Sequence, residues 1–361
     1  VYVANHNTND VTVMDGIPRD ALMERPVIGA PNYIAVNPAT NHFYVVIRGG
    51  AEVAAVDAAT NRFISLPTGY GPQDPAVNSV TNRIYIPNSA GNTVTVVDGA
   101  TNTAATIPAG KDPTSVAVNP VTNKIYVANF GEPNVTVIDG ASNAASSIEI
   151  SSPANFVAVN PATNKVYFST PKTNSVRAID GATGKTTNIG VGELPYAIAV
   201  NPVTNKIYVV NRGSNNVTVI DGATNKTAKV KTAAKPSAII TNPVTNKIYV
   251  ASVEGGVTVI DGATNKTKKI ADDLNRASIA VNTATNKIYV PNQISGLTVI
   301  DGATNETTAV ETGPSPWTVA VNPVTNTVYV ADQNGITVID GATNKIIKAP
   351  ARAVTNSAAR E

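Results

Sequence analysis

Cysteine is absent from this chain of 361 residues, and histidine occurs only twice, as His6 and His42. Without cysteine the protein has no disulfides, no thiol nucleophile and no cysteine ligands for zinc or an iron–sulfur cluster. Two histidines leave little scope for imidazole chemistry. The side chains that most enzymes use for catalysis and metal binding are therefore largely missing.

Charged residues and long apolar runs are also scarce. Only 14% of the residues are charged, and 27 Lys and Arg against 25 Asp and Glu give a net charge of +2. Such a balance gives no strongly basic face for neutralising phosphates, so we do not expect a nucleic-acid partner. No apolar run reaches the roughly 18 residues of a membrane helix, and the chain opens on Val1-Tyr2 without a basic start. We therefore expect no membrane span or signal peptide within this sequence.

The sequence contains instead one unit that repeats along its whole length. One copy runs from 116 to 140 and contains Asn119-Pro120, Ile125-Tyr126-Val127 and Asp139-Gly140. Nine aspartates mark the copies: Asp15, Asp57, Asp98, Asp139, Asp180, Asp221, Asp261, Asp301 and Asp340. Nine tyrosines repeat in step: Tyr2, Tyr44, Tyr85, Tyr126, Tyr167, Tyr208, Tyr249, Tyr289 and Tyr329. Two independent markers therefore agree on nine copies.

Each copy predicts four short antiparallel strands, A to D. In the copy above, strand A is 116–119, strand B is 124–128, strand C is 134–138, and strand D follows Asp139-Gly140. The A–B link has proline at its second corner and ends on Asn123, which tolerates a left-handed conformation. At the C–D link, the Asp139 side chain can accept hydrogen bonds from the amides that follow it. Both links are therefore predicted to be tight turns with a structural role.

Four strands in about 40 residues are typical of a β-propeller blade, so we predict an all-β propeller in one domain, 1–361. Strands B and C are apolar on both faces, as packing between blades requires. The strand-B tyrosines should be buried, with their hydroxyls bonded to backbone or water. The D strands are polar and lysine-rich in places, which protects an exposed edge from pairing with other chains.

The number of blades depends on how the two ends of the chain meet. The first copy has no strand A before it, because the chain begins at its strand B. Aligning Gly341 with Gly222 places Ser357 and Ala358 on strand A positions. We therefore predict nine blades, the ninth closed by the C-terminal strand pairing beside the N-terminal strand B. The alternative is eight blades plus a partial blade.

The repeat resembles the YVTN family of β-propeller repeats along essentially the whole chain. The resemblance is carried by Asn-Pro-x-Thr-Asn-x-Ile-Tyr-Val followed by Val-Thr-Val-Ile-Asp-Gly; Ser79 and Thr283 replace the turn proline, and Ala58 replaces a turn glycine. It implies a secreted, periplasmic or cell-surface protein. Propellers with similar blades include streptogramin lyases, lactonases, quinoprotein dehydrogenases and a periplasmic single-stranded DNA binder.

The two faces of the predicted disc differ in sequence. The first face carries the A–B and C–D turns, which repeat almost unchanged, whereas the second face carries the B–C and D–A loops, which vary. Unlike loops on a rigid scaffold are the usual place for binding groups, so we predict a ligand site on the second face. Residues expected at its channel mouth are Tyr33, Asp74, Asn155, Phe156, Tyr196, Arg276 and Trp317. B–C loop residues that could add contacts are Arg48, Phe130, Glu132, Arg212, Glu254 and Gln293. The mouth aromatics are either a plug for the channel or a platform for a ligand.

The inventory of reactive groups argues against catalysis by a lyase or lactonase mechanism. His6 falls in a B–C loop and His42 beside an A–B turn, so they should lie on opposite faces. No metal or other cofactor is predicted. Oxygen ligands that could hold calcium are available, although none has calcium-loop spacing: Asp74, Asp112, Asp272, Asp273 and Glu193.

The sequence therefore predicts a non-catalytic, secreted or cell-surface scaffold, monomeric, that binds a ligand, peptide or surface partner through its second face. One alternative is an enzyme, a lyase, lactonase or similar, with second-face carboxylates, Arg276 and a hard metal. A further alternative is single-stranded nucleic-acid binding, in which the aromatics would stack bases beside nearby cations. Those cations are Lys111, Lys172, Arg212, Lys235 and Arg276.

Overall fold

The chain folds into a β-propeller, seen here in a computed structural model. The structure describes residues 2–5, 10–13, 31–47, 49–60, 62–271, 278–292, 296–333 and 335–348. Eight four-stranded antiparallel sheets form blades 1 to 8, each with its strands in the order A-B-C-D. Within these described ranges no helix has the length and apolar character needed to cross a membrane.

Every blade places its A strand innermost and its D strand at the outer edge. The A strands are Pro31–Asn37, Ala76–Asn78, Pro113–Asn119, Val157–Asn160, Pro195–Asn201, Ala234–Asn242, Ala280–Asn282 and Thr318–Asn322. The B strands are His42–Ile47, Arg83–Asn88, Lys124–Asn129, Lys165–Thr170, Lys206–Asn211, Lys247–Glu254, Lys287–Asn292 and Thr327–Asp332. The C strands are Glu52–Asp57, Thr93–Asp98, Asn134–Asp139, Ser175–Asp180, Asn216–Asp221, Gly256–Asp261, Gly296–Asp301 and Gly335–Asp340. The D strands are Phe63–Pro67, Thr103–Pro108, Ala145–Glu149, Thr186–Gly190, Thr227–Lys231, Thr267–Ala271, Thr307–Val310 and Lys345–Lys348. Two further strands, Tyr2–Asn5 and Asp10–Val13, pair only with each other.

The turns of the first face adopt the predicted conformations. In blade 5, Asn205 closes the A–B turn in the left-handed region with φ of 51°. The Asp221 carboxylate accepts hydrogen bonds from the amides of Ala223 and Thr224, at 3.1 and 2.8 Å. A Cβ on Gly222 would lie 2.3 Å from the Asn205 side-chain oxygen, so a larger residue here would have to displace Asn205. The predicted turn chemistry is confirmed.

The hydrophobic core lies between blades, where each interface buries one strand-B tyrosine. Between blades 5 and 6, Tyr208 packs with Val217 and Ile248 and is fully buried. Burial raises the pKa of Tyr208 to about 12, so its hydroxyl is neutral at physiological pH. The tyrosine hydroxyls of blades 1 to 7 have no hydrogen-bond partner among the described residues. Burial of the tyrosines in the eight blades is confirmed. In blades 1 to 7 the expected bonds to the backbone are not formed, and bonding of these hydroxyls to water stays a prediction.

Hydrogen bonds between asparagines tie neighbouring blades together around the first face. The last asparagine of each A strand is buried and donates its amide to the left-handed asparagine of the next blade. The eight bonds, of 2.7 to 3.0 Å, are Asn37→Asn82, Asn78→Asn123, Asn119→Asn164, Asn160→Asn205, Asn201→Asn246, Asn242→Asn286, Asn282→Asn326 and Asn322→Asn41. The last bond runs from blade 8 to blade 1, so the ring of bonds is closed.

The prediction of nine blades is wrong, and the alternative of eight is correct. Blade 8 packs directly on blade 1, with the Tyr329 and Phe43 ring centroids 4.4 Å apart. Eight blades divide the circle into steps of about 45° rather than the about 40° of nine. Counting Tyr2 and Asp15 as markers of a blade gives one blade too many. The repeated sequence specifies a single blade but not the angle between neighbouring blades, which side-chain packing determines. Ser357 and Ala358, which were expected to close a ninth blade, lie outside the described residues.

The interface between blades 8 and 1 departs from the others in composition. At six other interfaces the first residue of strand B donates to the carbonyl of the turn glycine in the next blade, as Lys165 does to Gly222 at 2.7 Å. Here Thr327 and Ala58 stand at those two positions. A cavity of about 90 Å³ lies at this interface, with Tyr329 in its lining. Closure here therefore depends on aromatic packing and the asparagine bond.

Candidate functional site

The D–A loops of the second face are fixed by hydrogen bonds from both flanking blades. In the loop that precedes blade 5, the Leu194 amide donates to the Asn174 side-chain oxygen of blade 4 at 3.0 Å. The Leu194 carbonyl accepts from the Arg212 amide of blade 5 at 3.0 Å. The Gly192 amide donates to the Thr218 hydroxyl at 3.3 Å. These hydrogen bonds therefore fix the backbone of the loop relative to blades 4 and 5.

The loops before blades 3 and 6 form the same backbone amide hydrogen bonds, but the residue at the position of Leu194 differs. Asp112 and Lys235 stand where Leu194 does, and their amides donate to asparagine side chains at 2.9 Å in each case. The φ angles of Asp112, Leu194 and Lys235 are 49°, 50° and 52°, although each residue precedes a proline. Left-handed backbone costs free energy in a residue with a side chain, most of all in a bulky one. Strain of this kind concentrates at binding sites, which supports the second face as the functional one.

An aromatic pair with a cation over it lies on this face at blades 4 and 5. The Phe156 and Tyr196 ring centroids are 4.5 Å apart, with the rings tilted by 58°. The Arg212 guanidinium carbon lies 5.8 Å from the Tyr196 ring centroid, within the range of a cation–π interaction. Phe156 and Tyr196 are half-buried and Arg212 is exposed. We call these three residues the aromatic cluster.

The surroundings of the aromatic cluster are apolar on one side and positively charged on the other. Leu194 lies two residues before Tyr196 in the chain, and 56% of its surface is exposed. Among the residues that the structure describes, Lys235 and Glu254 form the one ion pair, which leaves Arg212 without a carboxylate partner. A guanidinium stays charged at any physiological pH. The cluster therefore offers an exposed apolar surface beside a positive charge that has no carboxylate in contact with it.

The structure separates the other predicted aromatics from this cluster. Tyr33 packs half-buried against the interface between blades 1 and 2, and Trp317 against the interface between blades 8 and 1. Blades 8 and 1 lie across the ring from blades 4 and 5. Asn155 directly precedes Phe156, and its carbonyl accepts a 2.8 Å hydrogen bond from the Thr114 hydroxyl. Of the predicted aromatics, Phe156 and Tyr196 therefore lie together at blades 4 and 5, whereas Tyr33 and Trp317 lie on the other side of the ring.

Asp74 has the most perturbed carboxyl among the predicted site residues. It lies in the loop that leads into the A strand of blade 2, and its side chain contacts solvent. Enclosure by surrounding protein raises its pKa from the ordinary value near 4 to about 7, while the solvent contact opposes that rise. The blade of Asp74 is not one of the two that carry the aromatic cluster.

Several predicted residues lie outside the described residues. They are His6, Arg48, Asp272, Asp273, Arg276 and Gln293. His42 begins the B strand of blade 1 next to a first-face turn, where its Nδ1 lies 2.8 Å from the Thr40 carbonyl oxygen. Over the described ranges, no three His, Asp or Glu side chains come together as a potential metal site. Calcium binding through Asp74, Asp112 and Glu193 stays a prediction without geometric support.

Sequence reasoning misses two features of the site. Leu194 is not among the predicted residues, although a leucine before proline in a position that elsewhere holds Asp112 or Lys235 is an unusual choice for an exposed loop. Arg212 is predicted as a polar contact of a B–C loop and as a cation beside stacked bases, but not as a group over the Tyr196 ring. Its position over Tyr196 depends on the hydrogen bond between the Arg212 amide and the Leu194 carbonyl, which joins two loops of variable sequence.

Comparison with known proteins identifies the fold. No protein-family model matches the chain, and no curated protein matches its sequence. Among solved structures, it is similar to the dihydro-heme d1 dehydrogenase NirN in complex with DHE, with a TM-score of 0.74 and 15% identity over 93% of this chain and 77% of that one. Hydrazine synthase of Kuenenia stuttgartiensis gives 0.61 and 19% over 89% and 98%. A protein of unknown function from Desulfotomaculum acetoxidans gives 0.60 and 17% over 73% and 93%. At these identities the likeness establishes the propeller fold alone.

Proposed function

We propose that the protein is a ligand-binding propeller whose second face takes a small ligand with a flat apolar surface and an anionic group. The site is the aromatic cluster of Phe156, Tyr196 and Arg212, and the single observation that carries the proposal is the Arg212 guanidinium over the Tyr196 ring. On this proposal the cluster is a platform rather than a channel plug.

The ligand chemistry follows from the groups that the cluster leaves available. Half-buried rings of Phe156 and Tyr196 offer faces and edges on which a planar ring can stack. The Arg212 guanidinium has no carboxylate partner among the described residues and can form two parallel hydrogen bonds to a carboxylate. The exposed Leu194 side chain adds an apolar edge. An aromatic or other planar carboxylate satisfies all of these groups together.

Binding rather than catalysis is the role that these residues support. Phenylalanine supplies no proton-transfer group, arginine does not lose its proton, and the tyrosine hydroxyl is a weak acid. The structural neighbours named as a dehydrogenase and as hydrazine synthase show that discs of this fold can serve enzymes. In this chain, Asp74 is the carboxyl whose pKa is raised, and it belongs to blade 2 rather than to the blades of the aromatic cluster. We further propose a secreted or cell-surface location, which rests on the resemblance of the repeats.

The test is a calorimetric titration with 2-naphthoate, a planar carboxylate, and with neutral 2-naphthalenemethanol. Tyr196→Ala should weaken binding of both compounds by about tenfold, because it removes the stacking surface. Arg212→Gln should weaken binding of the carboxylate alone, since only that compound has an anionic group for the guanidinium.

The matched control is Tyr70→Ala, because Tyr70 lies in another D–A loop and is 74% exposed. This variant should bind 2-naphthoate like the unchanged protein. Equal affinity of the Tyr196→Ala and Tyr70→Ala variants, or no binding by the unchanged protein, would overturn the proposal.

A further inference from the structure

Positive charge is concentrated in one stretch of the chain that the proposed ligand site does not explain. The residues from 226 to 269 contain eight lysines and two acidic residues, Glu254 and Asp261. This stretch has a net charge of +6, whereas the whole chain has +2, so the remaining residues together have −4. The protein is therefore close to neutral overall but strongly polarised.

Six of these eight lysines lie exposed on the outer edges of two adjacent blades. They are Lys226, Lys229 and Lys231 of blade 5 and Lys266, Lys268 and Lys269 of blade 6. We call this set the basic rim. Of the other two lysines, Lys247 donates to the Gly302 carbonyl and Lys235 pairs with Glu254. No acidic residue occurs in either of the two D strands.

Pairing between strands C and D shows that the basic rim is continuous across blade boundaries. Lys229 lies opposite Thr218, while the buried Val230 lies opposite Val217 and faces the interface with blade 6. Lys229 therefore faces blade 4, because successive residues of a strand point to opposite sides. By the same argument Lys269, opposite Thr258, faces blade 5, and Lys268, opposite Val259, faces blade 7. The lysines thus line three neighbouring grooves along the outer wall.

Protection of exposed edges does not account for this distribution. Lysine on an outer strand does prevent pairing with other chains, and all eight D strands are edges of their sheets. The D strands of blades 2 and 3, Thr103–Pro108 and Ala145–Glu149, contain no lysine. Lysine is only one way to protect an edge, so protection alone does not explain its concentration in adjacent blades. The D strands of blades 5 and 6 contain Lys229, Lys231, Lys268 and Lys269, and that of blade 8 contains Lys345 and Lys348.

We propose that the basic rim binds an anionic polysaccharide along the outer wall of blades 5 and 6. Lysine ammonium groups act as point charges that suit carboxylate or sulfate groups at irregular spacing. The two D strands contain no aromatic residue on which a nucleobase could stack and no arginine for two-point contact with phosphate. A sugar polymer without bases matches this surface better than a nucleic acid does.

The test measures binding of polygalacturonate to the full chain at several salt concentrations. A variant with Lys229, Lys231, Lys268 and Lys269 all changed to Gln should lose more than about tenfold in affinity at low salt and show a shallower salt dependence. The control changes four exposed lysines elsewhere, Lys111, Lys172, Lys185 and Lys345, to Gln, which removes the same total charge. It should retain most of the affinity.

Further measurements distinguish binding at the basic rim from a general effect of net charge or of misfolding. Arginine at the four rim positions keeps the charge and should preserve binding, even if the glutamine variant folds poorly. Tyr196→Ala should leave polygalacturonate binding unchanged, so the basic rim and the aromatic cluster can fail independently. Equal losses in the rim and control variants, tighter binding of oligothymidylate than of polygalacturonate, or no binding by the unchanged protein would each overturn the proposal.

Discussion

The first and second faces of the disc are built from the same repeat, yet they differ in what their side chains do. On the first face, each blade forms the same asparagine bond to its neighbour, and Asn322→Asn41 completes the circle. On the second face, the loops before blades 3, 5 and 6 share one backbone arrangement but present different residues, Asp112, Leu194 and Lys235. Side chains that are the same in every blade therefore bond to one another, whereas side chains that differ between blades remain available to bind a partner.

The two faces also differ in how their polar groups are used. Asn201 of the first face is fully buried, donates to Asn246 and accepts from two turn amides. Arg212 of the second face is exposed and contacts an aromatic ring instead of a carboxylate. Changes between or beneath the blades should therefore alter stability, whereas changes on the second face should alter binding.

The largest expected effect is on the core that both faces share. Tyr208→Ala should lower the free energy of unfolding by about 3–5 kcal/mol, because it truncates a fully buried aromatic side chain between blades 5 and 6. Tyr208→Phe is the matched control and should be nearly neutral, since the hydroxyl has no partner within the protein. Denaturant titration measures both. A loss near zero for Tyr208→Ala would mean that packing between blades does not hold the ring together.

A smaller loss of stability is expected from breaking one bond of the first face. Asn201→Ala should lower the free energy of unfolding by about 2 kcal/mol, because it removes a fully buried side chain that donates to Asn246 and accepts from the Val203 amide. Binding of 2-naphthoate should not change. A variant with unaltered stability and weakened binding would reverse the roles that we assign to the two faces.

Relief of strain on the second face should have the opposite sign. Leu194→Gly should raise the free energy of unfolding by up to about 1 kcal/mol, since glycine adopts φ of 50° without a steric penalty. Leu194→Ala removes the same apolar contact but keeps the strain, so the difference between the two variants isolates the backbone. Both should bind 2-naphthoate more weakly. Equal stability of the glycine and alanine variants would argue against strain at this loop.

The smallest effect concerns pH. The folded protein raises the pKa of Asp74 from near 4 to about 7, so between these values the folded chain binds more protons at this carboxyl than the unfolded chain does. Its contribution to stability is therefore present below pH 4 and is lost as pH rises through about 7. Thermal unfolding of Asp74→Asn at pH 5 and pH 8 should show less loss of stability on going to pH 8 than the unchanged protein shows. Identical behaviour of the two proteins would show that the Asp74 carboxyl titrates at its ordinary pKa.

The opposite pH dependence is expected from the aspartates of the C–D turns. Hydrogen bonds from the Thr224 amide and then the Thr224 hydroxyl lower the pKa of Asp221, so its contribution to stability is present above the unfolded value near 4 and disappears in more acidic solution. Asp221→Asn should therefore change stability mainly above pH 4. Comparison with Asp74→Asn separates a turn of the first face from a carboxyl in a loop of the second face.

Most of the fold could be predicted from the sequence because the same pattern of strands and turns occurs in every repeat. The alternation of strands, the left-handed Asn205 and the amide bonds to Asp221 all follow from local chemistry. The prediction of blade number is wrong, because the number depends on the angle between neighbouring sheets rather than on the sequence of one blade. The contact of Tyr329 with Phe43 joins residues 286 positions apart, and no local pattern marks it.

The candidate site could be predicted only in part. The sequence predicts Phe156 and Tyr196 at one channel mouth, and the structure brings their rings together. The sequence also places Tyr33 and Trp317 at that mouth, because position along a repeat does not show which side of the ring a blade occupies. The contribution of Leu194 depends on a backbone conformation held by Asn174 of another blade, which a sequence pattern does not show.

A crystal structure of the protein soaked with 2-naphthoate tests the central claim most directly. We predict density for a planar ring against Phe156 and Tyr196, with its carboxylate at the Arg212 guanidinium, and an unchanged ring of asparagine bonds on the first face. Density on the first face, or an empty aromatic cluster at saturating 2-naphthoate, would contradict the assignment of binding to the second face.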